Sequence, residues 1–255
     1  MPKVNRFTAA LREGRQQIGL WCSLGGASVP ELLAGSGFDW VVIDTEHSHT
    51  DVPDVLLALQ AMAPFEATNV VVRPAWNDPV LIKRVLDFGA QNIIVPYVQT
   101  AAEAQATVDA VRYPPRGMRG VAGGTRASNY GRDKSYTKTA DAEICLIVQV
   151  ETRASLSHLE AIAAVDGVDG VFIGPADLAA SLGHPGELGH PEVKTAIEDA
   201  IRRLAAVGKP SGILTLDRAF ARRCIEVGTT FTAVGTDTAL LVAAADGLAA
   251  EFKAS

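Results

Sequence analysis

Residues 40–47 read WVVIDTEH, a run of four apolar side chains that finishes in Asp44, Glu46 and His47. A strand that is apolar at every position buries both of its faces, as strands of parallel sheets do, whereas an antiparallel strand with one wet face alternates. The stretch therefore predicts a buried parallel strand that carries polar groups at its carboxyl end.

Seven more β-rich runs share this character, at 18–24, 69–75, 92–98, 144–151, 170–178, 210–216 and 231–237. Between the eight runs lie segments such as 51–63 and 192–207, in which apolar residues recur at the three- and four-residue steps of a helix. Asp51 and Asp78 occupy positions typical of helix caps, and Pro79 suits a first helical turn. Strands and helices are thus expected to alternate along the chain.

Eight strand–helix units in 255 residues match an α/β protein with a closed (β/α)8 TIM barrel, which we predict as a single domain over 1–255. An open doubly wound sheet is the alternative. Its first turn would be expected to carry the glycine pattern GxGxxG, which the sequence lacks. The sequence therefore favours the barrel.

The composition bears on partners and compartment. The formal net charge of −6 gives the average surface no attraction for nucleic acid or an anionic membrane, so small molecules are the expected partners. The three cysteines lack CxxC spacing, which fits a reducing compartment. No signal-peptide pattern or membrane-length apolar run occurs in the sequence, and a cytoplasmic location is expected.

Two segments interrupt the alternation of strands and helices. Residues 114–142 are rich in Gly and Arg with little periodicity, and we predict a loop over the barrel mouth. Residues 183–191 contain too many prolines and glycines to form a helix or a strand for long.

Catalytic residues of a TIM barrel lie at the carboxyl ends of its strands. The side chains predicted there are mostly acidic or polar, and they are Asp44, Glu46, His47, Arg73, Gln149, Glu151, Gly174, Pro175, Asp177, Thr215 and Asp237. The mouth of the barrel is therefore predicted to be the functional site.

Glu151 and Asp177 follow neighbouring strands of this mouth. Adjacent parallel strands lie about 4.8 Å apart, so the two carboxylates can converge on a hard cation such as Mg²⁺ or Mn²⁺, which takes oxygen ligands. The alternative is that Glu151 provides a favourable first-turn charge for one helix and Asp177 caps the next.

Arg73 in a barrel mouth needs an anionic partner, either Asp44 or Glu46 in a structural ion pair or an anionic substrate. His47 could act as a general base, with Asp44 orienting its ring. The alternative is that His47 only neighbours a helix cap, which is the commoner role of an isolated histidine. The turn IGPAD (173–177) can expose backbone N–H groups to an anion, or it can be a structural turn.

The sequence lacks the residues that other catalytic mechanisms need at a barrel mouth. No lysine stands at the carboxyl end of a predicted strand, where a Schiff-base lysine would be expected, and no GxSxG elbow is present. Metal-assisted chemistry is therefore the hypothesis that the sequence favours.

Six long ordered stretches together resemble the HpcH/HpaI aldolase family of metal-dependent (class II) pyruvate aldolases, including its 4-hydroxy-2-oxoheptanedioate and 2-dehydro-3-deoxyglucarate branches. They are DWVVIDTEHSHTD (39–51), VVVRPAWND (70–78), VLDFGAQNIIVPYVQTAAEA (85–104), YPPRGMRG (113–120), IVQVET (147–152) and VFIGPADLAASLG (171–183). The similarity runs from about residue 5 to the last helix.

The resemblance implies a metal-bound active site. A divalent ion (Mg²⁺, Mn²⁺ or Co²⁺) would be held by Glu151 and Asp177. The 2-oxo acid would chelate that ion, Arg73 would contact its keto oxygen, and the backbone at 174–176 would receive its carboxylate. That last contact names Gly174, Pro175 and Ala176 as substrate-binding residues.

The resemblance also implies a homo-hexamer, a trimer of dimers, to whose contacts the C-terminal helix is expected to contribute. His47 would transfer protons with support from Asp44, and Asp87 would reach His47 from a neighbouring subunit. The active site would then depend on the assembly.

The expected reaction is reversible cleavage of a 4-hydroxy-2-oxo acid to pyruvate, or a hydroxylated pyruvate, and an aldehyde. Gln149 is expected among the substrate contacts, and Trp21, Leu216 and the 120–130 segment are expected to select the aldehyde. Two alternatives are a carbon–carbon lyase of the malyl-CoA or citryl-CoA type and a barrel that only binds an oxo acid.

Overall fold

The computed structural model describes residues 4–253 and contains eight strands that pair in parallel and in chain order, with the eighth returning to the first. The strands are β1 (Gln17–Cys22), β2 (Trp40–Asp44), β3 (Asn69–Arg73), β4 (Asn92–Val95), β5 (Cys145–Val150), β6 (Gly170–Ile173), β7 (Ser211–Leu214) and β8 (Phe231–Thr236). Closure by the parallel pairing of β8 with β1 confirms the (β/α)8 barrel and excludes the open sheet.

Helices cover the barrel. They are α1 (Arg6–Arg12), α2 (Ser28–Ala34), α3 (Val52–Ala61), α4 (Pro79–Asp87), α5 (Ala101–Val111), α6 (Tyr136–Thr139), α7 (Arg153–Ser157), α8 (Leu159–Ala163), α9 (Pro175–Ser181), α10 (Pro191–Ala206), α11 (Arg218–Val227) and α12 (Asp237–Lys253). The predicted caps are confirmed, because Asp51 accepts the backbone N–H of Val52 and Asp78 accepts those of Val80 and Leu81.

All eight strands lie where the sequence predicts them, but several end earlier than their apolar runs. The run 92–98 leaves the sheet at Val95, and the run 170–178 leaves it at Ile173. Tyr97 and Asp177 therefore belong to the connections after their strands.

The barrel interior is a packed apolar core. Side chains alternate along each strand, so Val42, Val71, Ile147 and Phe172 share the interior while their sequence neighbours face the helices. At the end where the strands begin, Phe7 of α1 packs against this core, with its ring centroid 5.8 Å from that of Trp40 and 5.9 Å from that of Phe231.

Two glycines make room for large rings in this core. A Cβ atom at Gly19 would overlap the indole of Trp40, and one at Gly212 would overlap the ring of Phe231. Glycine at these positions therefore allows two bulky side chains to fill a small barrel.

The segment 114–142 contradicts the predicted loop over the mouth. It joins α5 to β5, so it lies at the face where strands begin. There Arg126 donates hydrogen bonds to the carbonyl oxygens of Phe88 at 2.7 Å and Leu59 at 3.3 Å, near the ends of α4 and α3. The prediction was wrong because the segment follows a helix, and connections after helices cannot reach the mouth of the same barrel.

The other interrupting segment behaves as predicted. Residues 183–190 contain neither helix nor strand, and α10 begins at Pro191.

Helix α12 extends away from the barrel. Asp237 is its only buried residue among those described, and it exposes the apolar side chains Leu240, Leu241, Val242, Leu248 and Phe252. Beside it, an apolar groove of about 310 Å³ runs between α11 and the outer faces of β1 and β8, and its lining includes Leu20, Phe38, Ala221, Ile225 and Val234. Within residues 4–253 no helix is both long and apolar enough to span a bilayer.

Candidate active site

A polar layer caps the apolar interior at the carboxyl ends of the strands. Because side chains alternate, the residues two positions beyond Val42, Val71, Ile147 and Phe172 face the same interior. These residues are Asp44, Arg73, Gln149 and Gly174. The pairing of β2 with β3 also places Asp44 directly beside Arg73.

Asp44 and Arg73 form a buried bidentate ion pair. Arg73 Nε donates to Asp44 Oδ1 at 2.8 Å, and Nη2 donates to Oδ2 at 2.6 Å. Trp21 Nε1 donates to the same carboxylate at 3.1 Å, and the guanidinium lies 4.9 Å from the indole centroid. Burial alone would raise the pKa of Asp44, but the hydrogen bonds and charge of Arg73 outweigh it and hold the pKa below its usual value.

The third guanidinium nitrogen faces a second carboxylate. Arg73 Nη1 lies 2.8 Å from Glu46 Oε2. Burial raises the pKa of Glu46 to about 7, since the charges of Asp44 and Asp177 add to the effect of burial and Arg73 only partly offsets it. Arg73 therefore has two acidic neighbours at the mouth, Asp44 and Glu46.

His47 is at the mouth with 65% of its side chain exposed, and its Nε2 lies 3.8 Å from Glu46 Oε1. The structure differs here from the expectation that Asp44 orients the ring. The Asp44 carboxylate accepts hydrogen bonds from Arg73, Trp21 and the backbone N–H of Glu46, because its strand position aligns it with Arg73. In the described part of the chain, Glu46 is the acid that approaches the ring.

Glu151 is 1% exposed and held by neutral donors. Its Oε1 accepts the backbone N–H of Tyr97 at 2.8 Å, and its Oε2 accepts a short hydrogen bond from Gln149 Nε2. Burial raises the pKa of Glu151 to about 7, and the charges of Glu46 and Asp177 contribute in the same direction. Among residues 4–253, no cationic side chain forms an ion pair with this carboxylate.

Gly174 is the residue before α9, Pro175 is the first residue of that helix, and Ala176 and Asp177 follow in its exposed first turn. A Cβ at Gly174 would overlap the carboxylate of Glu151, at 2.8 Å from Glu151 Cβ and 3.2 Å from Gln149 Nε2. Glycine thus lets the turn after β6 approach Glu151 closely. Asp177 stands in the first turn of α9 and is not its cap, which differs from the capping alternative.

These residues fit a hard divalent cation. Three carboxylates, those of Glu46, Glu151 and Asp177, act on one another electrostatically, and two of them have pKa values raised to about 7. Gln149 Oε1 is also buried without a hydrogen-bond partner among the residues described. Oxygen donors with excess negative charge are the set that Mg²⁺ and Mn²⁺ prefer.

Trp21 and Leu216 lie at different depths. Trp21 is buried in the barrel beneath Arg73 and packs against Phe172, with ring centroids 5.3 Å apart, whereas Leu216 is exposed in the connection after β7. Asp237, predicted at the mouth, accepts the backbone N–H groups of Ser23 at 2.9 Å and Leu24 at 2.8 Å. It therefore anchors the connection after β1.

Asp87 lies at the last position of α4, on the face opposite the mouth. Its Oδ1 accepts a hydrogen bond at 2.9 Å from Nη2 of Arg119, whose side chain is fully buried over the rings of Tyr113 and Tyr136. Helix and strand run antiparallel in each unit, so Asp87 cannot reach His47 of its own barrel.

Sequence reasoning missed two aromatic residues at the mouth, Trp76 and Tyr97. It assigned Tyr97 to a strand, which hid a turn whose backbone N–H binds Glu151. Proline at position 96 was the available signal that the strand ends there.

His184, His190 and Glu192 come together away from the mouth. His184 Nε2 lies 2.9 Å from Glu192 Oε2, and His190 Nδ1 accepts the backbone N–H of Glu192 at the start of α10. The two imidazoles stack at 3.5 Å with an interplanar angle of 18°, so their in-plane lone pairs cannot meet at one ion. This cluster is a helix cap.

Comparison with known proteins agrees with this arrangement. A family model described as HpcH/HpaI aldolase/citrate lyase matches residues 17–244. The chain is 61% identical over 249 residues to the pyruvate aldolase of Rhizobium etli, covering 98% of each, and 54% identical over 252 residues to the hydroxypyruvate/pyruvate aldolase of Sagittula stellata, covering 99% of each.

A crystal structure of an HpcH/HpaI aldolase/citrate lyase family protein from Burkholderia cenocepacia matches with a TM-score of 0.94 and 39% identity. The match covers 98% of this chain and 100% of that chain. On the strength of these full-length matches and the eight-stranded barrel, the chain belongs to the HpcH/HpaI aldolase/citrate lyase family.

Proposed function

We propose that this protein is a metal-dependent (class II) aldolase that reversibly cleaves 4-hydroxy-2-oxo acids to pyruvate, or to hydroxypyruvate, and an aldehyde. The observation that carries the proposal is the buried Arg73 beside the carboxylates of Asp44 and Glu46, at the same end of the barrel as the buried carboxylate of Glu151. Names of the relatives support the same reaction, since one is a pyruvate aldolase and another a hydroxypyruvate/pyruvate aldolase.

Glu151 and Asp177 would hold the divalent ion, with Mg²⁺, Mn²⁺ and Co²⁺ as the candidates. When bound, such an ion supplies positive charge next to the keto oxygen of the substrate. Burial is the main cause of the raised pKa of Glu151, and a bound cation would offset the negative charges of Glu46 and Asp177 that add to it. Gly174 would contribute by keeping the turn after β6 close enough for the substrate carboxylate to meet the backbone at 174–176.

Arg73 would stabilise the charge that cleavage creates. Breaking the bond between C3 and C4 leaves an electron pair on C3, which delocalises onto the keto oxygen. Nε and Nη2 of Arg73 are occupied by Asp44, so Nη1, which faces Glu46, is the donor available to a substrate oxygen. Gln149, buried in the same layer, is placed for a further polar contact.

His47 would take the proton from the C4 hydroxyl as the C3–C4 bond breaks, and transfer of one proton to C3 would then convert the enolate to pyruvate. In the reverse reaction a proton leaves C3, and His47 returns a proton to the aldehyde oxygen. Its exposure at the mouth leaves the ring accessible to substrate, and Glu46 at 3.8 Å is placed to influence its protonation. Asp44 would act indirectly, by fixing the guanidinium of Arg73.

The assembly would complete the site. From the family resemblance we infer a homo-hexamer in which Asp87 reaches His47 of a neighbouring subunit. The position of Asp87 is compatible with this contact, since it lies on the face opposite His47 of its own barrel. Helix α12 would contribute to the contacts, since its exposed apolar side chains and the nearby apolar groove are complementary in character. A Leu241→Asp substitution is expected to lower the solution mass in light scattering, whereas Leu241→Met should keep it. An unchanged mass in Leu241→Asp would contradict the role of α12.

The test of the reaction is metal removal. Chelator-treated protein is expected to lose pyruvate release from 4-hydroxy-2-oxo acids, and added Mn²⁺ or Mg²⁺ is expected to restore it. Full activity without metal, or trapping of the substrate by borohydride, would overturn the proposal. The CoA-thioester lyase and the purely binding barrel are not favoured, because the relatives of 61% and 54% identity are named aldolases.

A further inference from the structure

Two aromatic side chains stand exposed beside the polar layer. Trp76 lies in the connection after β3 and is 52% exposed, and Tyr97 lies in the connection after β4 and is 41% exposed. Their rings stack on each other with centroids 5.4 Å apart and an interplanar angle of 27°. Both connections follow strands, so the pair is on the mouth face.

The backbone of Tyr97 is tied to the site. Its φ of +58° is in the left-handed region, which residues with a Cβ rarely adopt. Its N–H donates to Glu151 Oε1 at 2.8 Å, and the next N–H, that of Val98, donates to the carbonyl oxygen of Gln149 at 3.0 Å. These bonds hold an unfavourable conformation in place, as is common at ligand sites.

The hydrogen bond between Tyr97 and Glu151 limits the distance from the aromatic pair to the candidate active site. The Cα atom of Tyr97 is one bond from a nitrogen that contacts Glu151, so it lies within about 4.3 Å of that carboxylate oxygen. Trp76 is three residues beyond Arg73, which limits their separation to about 11 Å along the chain. The aromatic pair therefore borders the space next to Arg73 and Glu151.

We propose that Trp76 and Tyr97 form an acceptor platform that binds the aldehyde substrate through an apolar or aromatic substituent. The inference rests on the proposed aldolase function. Charged groups of the polar layer would hold the oxo-acid part, whereas the aldehyde's substituent must extend beyond them toward the mouth. Exposed ring faces bind flat or apolar groups by burial and offset stacking.

The platform makes a selective prediction about substrates. Replacing one ring should weaken addition to an aromatic aldehyde more than addition to a small polar one, because only the former covers the ring faces. Trp76→Ala removes one ring directly. Tyr97→Gly removes the other while favouring the left-handed backbone, so that the N–H bonded to Glu151 can stay in place.

The experiment measures kcat/KM for the addition of pyruvate to benzaldehyde and to glycolaldehyde, with wild-type holoenzyme and each variant. We expect the benzaldehyde-to-glycolaldehyde ratio to fall about fivefold to tenfold in Trp76→Ala and in Tyr97→Gly, the size of a stacking interaction. Tyr97→Phe and Trp76→Phe keep a ring and should retain most of the ratio. Circular dichroism and light scattering report whether fold and mass are kept.

The outcomes separate this inference from the function on which it rests. Wild-type protein that neither exchanges the methyl protons of pyruvate nor adds pyruvate to any aldehyde would contradict the proposed function. An active wild type that rejects benzaldehyde, or variants with an unchanged ratio, would contradict the platform alone. A lower mass with an unchanged ratio would assign the two rings to a subunit contact and also overturn the platform.

Discussion

At the scale of single residues, Arg73 shows how one side chain serves two acids. Its Nε and Nη2 bind Asp44 in a planar fork, and Nη1 lies 2.8 Å from Glu46 Oε2. An ammonium group has no such fork, since it is a compact point charge. The geometry of the guanidinium, beyond its charge, is therefore what the polar layer requires.

Arg73→Lys tests this requirement. We expect kcat/KM for pyruvate release to fall by about 100-fold to 1000-fold, the range for loss of one donor to a developing negative charge. Arg202→Lys is the matched control, because Arg202 pairs with Glu198 on the surface of α10, and its activity should stay within about twofold of wild type. Wild-type kcat/KM in Arg73→Lys would contradict the role of the fork.

Glu151 illustrates the cost of a buried acid. Its pKa is raised from 4.5 to about 7, so the folded protein without metal binds more protons than the unfolded chain between these pH values. Its contribution to stability is therefore lost as the pH rises through this window. Glu46 acts in the same direction, whereas the lowered pKa of Asp44 acts only at more acidic pH.

We expect the urea midpoint of metal-free wild type to decline between about pH 4.5 and 7 relative to that of Glu151→Gln, which cannot ionise. Added Mn²⁺ should reduce the decline, since the cation stabilises the ionised carboxylate. The same pH profile for both proteins would show that Glu151 does not titrate in this window.

At the scale of elements, the connection from β6 to α9 brings its backbone into close contact with the side chain of Glu151. Gly174 lies so close to Glu151 that a Cβ atom would overlap its carboxylate. The short strand β6 ends at Ile173, and the tight turn brings Asp177 into the first helical turn beside the site.

Gly174→Ala is expected to displace Glu151 and to weaken Mn²⁺ binding about 10-fold to 100-fold, as measured by calorimetry, because groups that position ligands have effects of this size. Gly189→Ala is the control, since nothing lies within 4 Å of a Cβ added there. Equal Mn²⁺ affinity in both variants would show that Glu151 tolerates the extra atom.

At the scale of the whole molecule, the proposed site would be shared between subunits, because two of its residues lie on opposite faces of the barrel. His47 is at the mouth of one barrel, and Asp87 lies at the opposite face, held by the buried Arg119. A symmetric interface could bring the two together from different copies.

Mixing two impaired variants tests this division. His47→Ala and Asp87→Ala should each lose most activity alone. After subunit exchange between equal amounts, random pairing in a two-fold arrangement makes about half of the pairs mixed, and one of the two sites in each mixed pair has both residues. About a quarter of wild-type activity should therefore return. If mixing restored no activity while mass spectrometry showed mixed oligomers, Asp87 would have no role in the neighbouring site.

The positions of the strands and of the polar layer could be predicted from the amino-acid order, because uninterrupted apolar runs are buried on both faces and polar residues then collect where the runs stop. The sequence also predicted Glu151, Asp177 and Arg73 at one end of the barrel. The hydrogen-bond and ion-pair partners of these residues depend on the tertiary structure. The register of β2 and β3 pairs Asp44 with Arg73, whereas the sequence predicted that Asp44 orients His47. The position of 114–142 between a helix and the next strand puts it on the face opposite the mouth. The backbone turn at Tyr97 brought an amide to Glu151. Such pairings depend on distances across the barrel, which the linear order of residues does not contain.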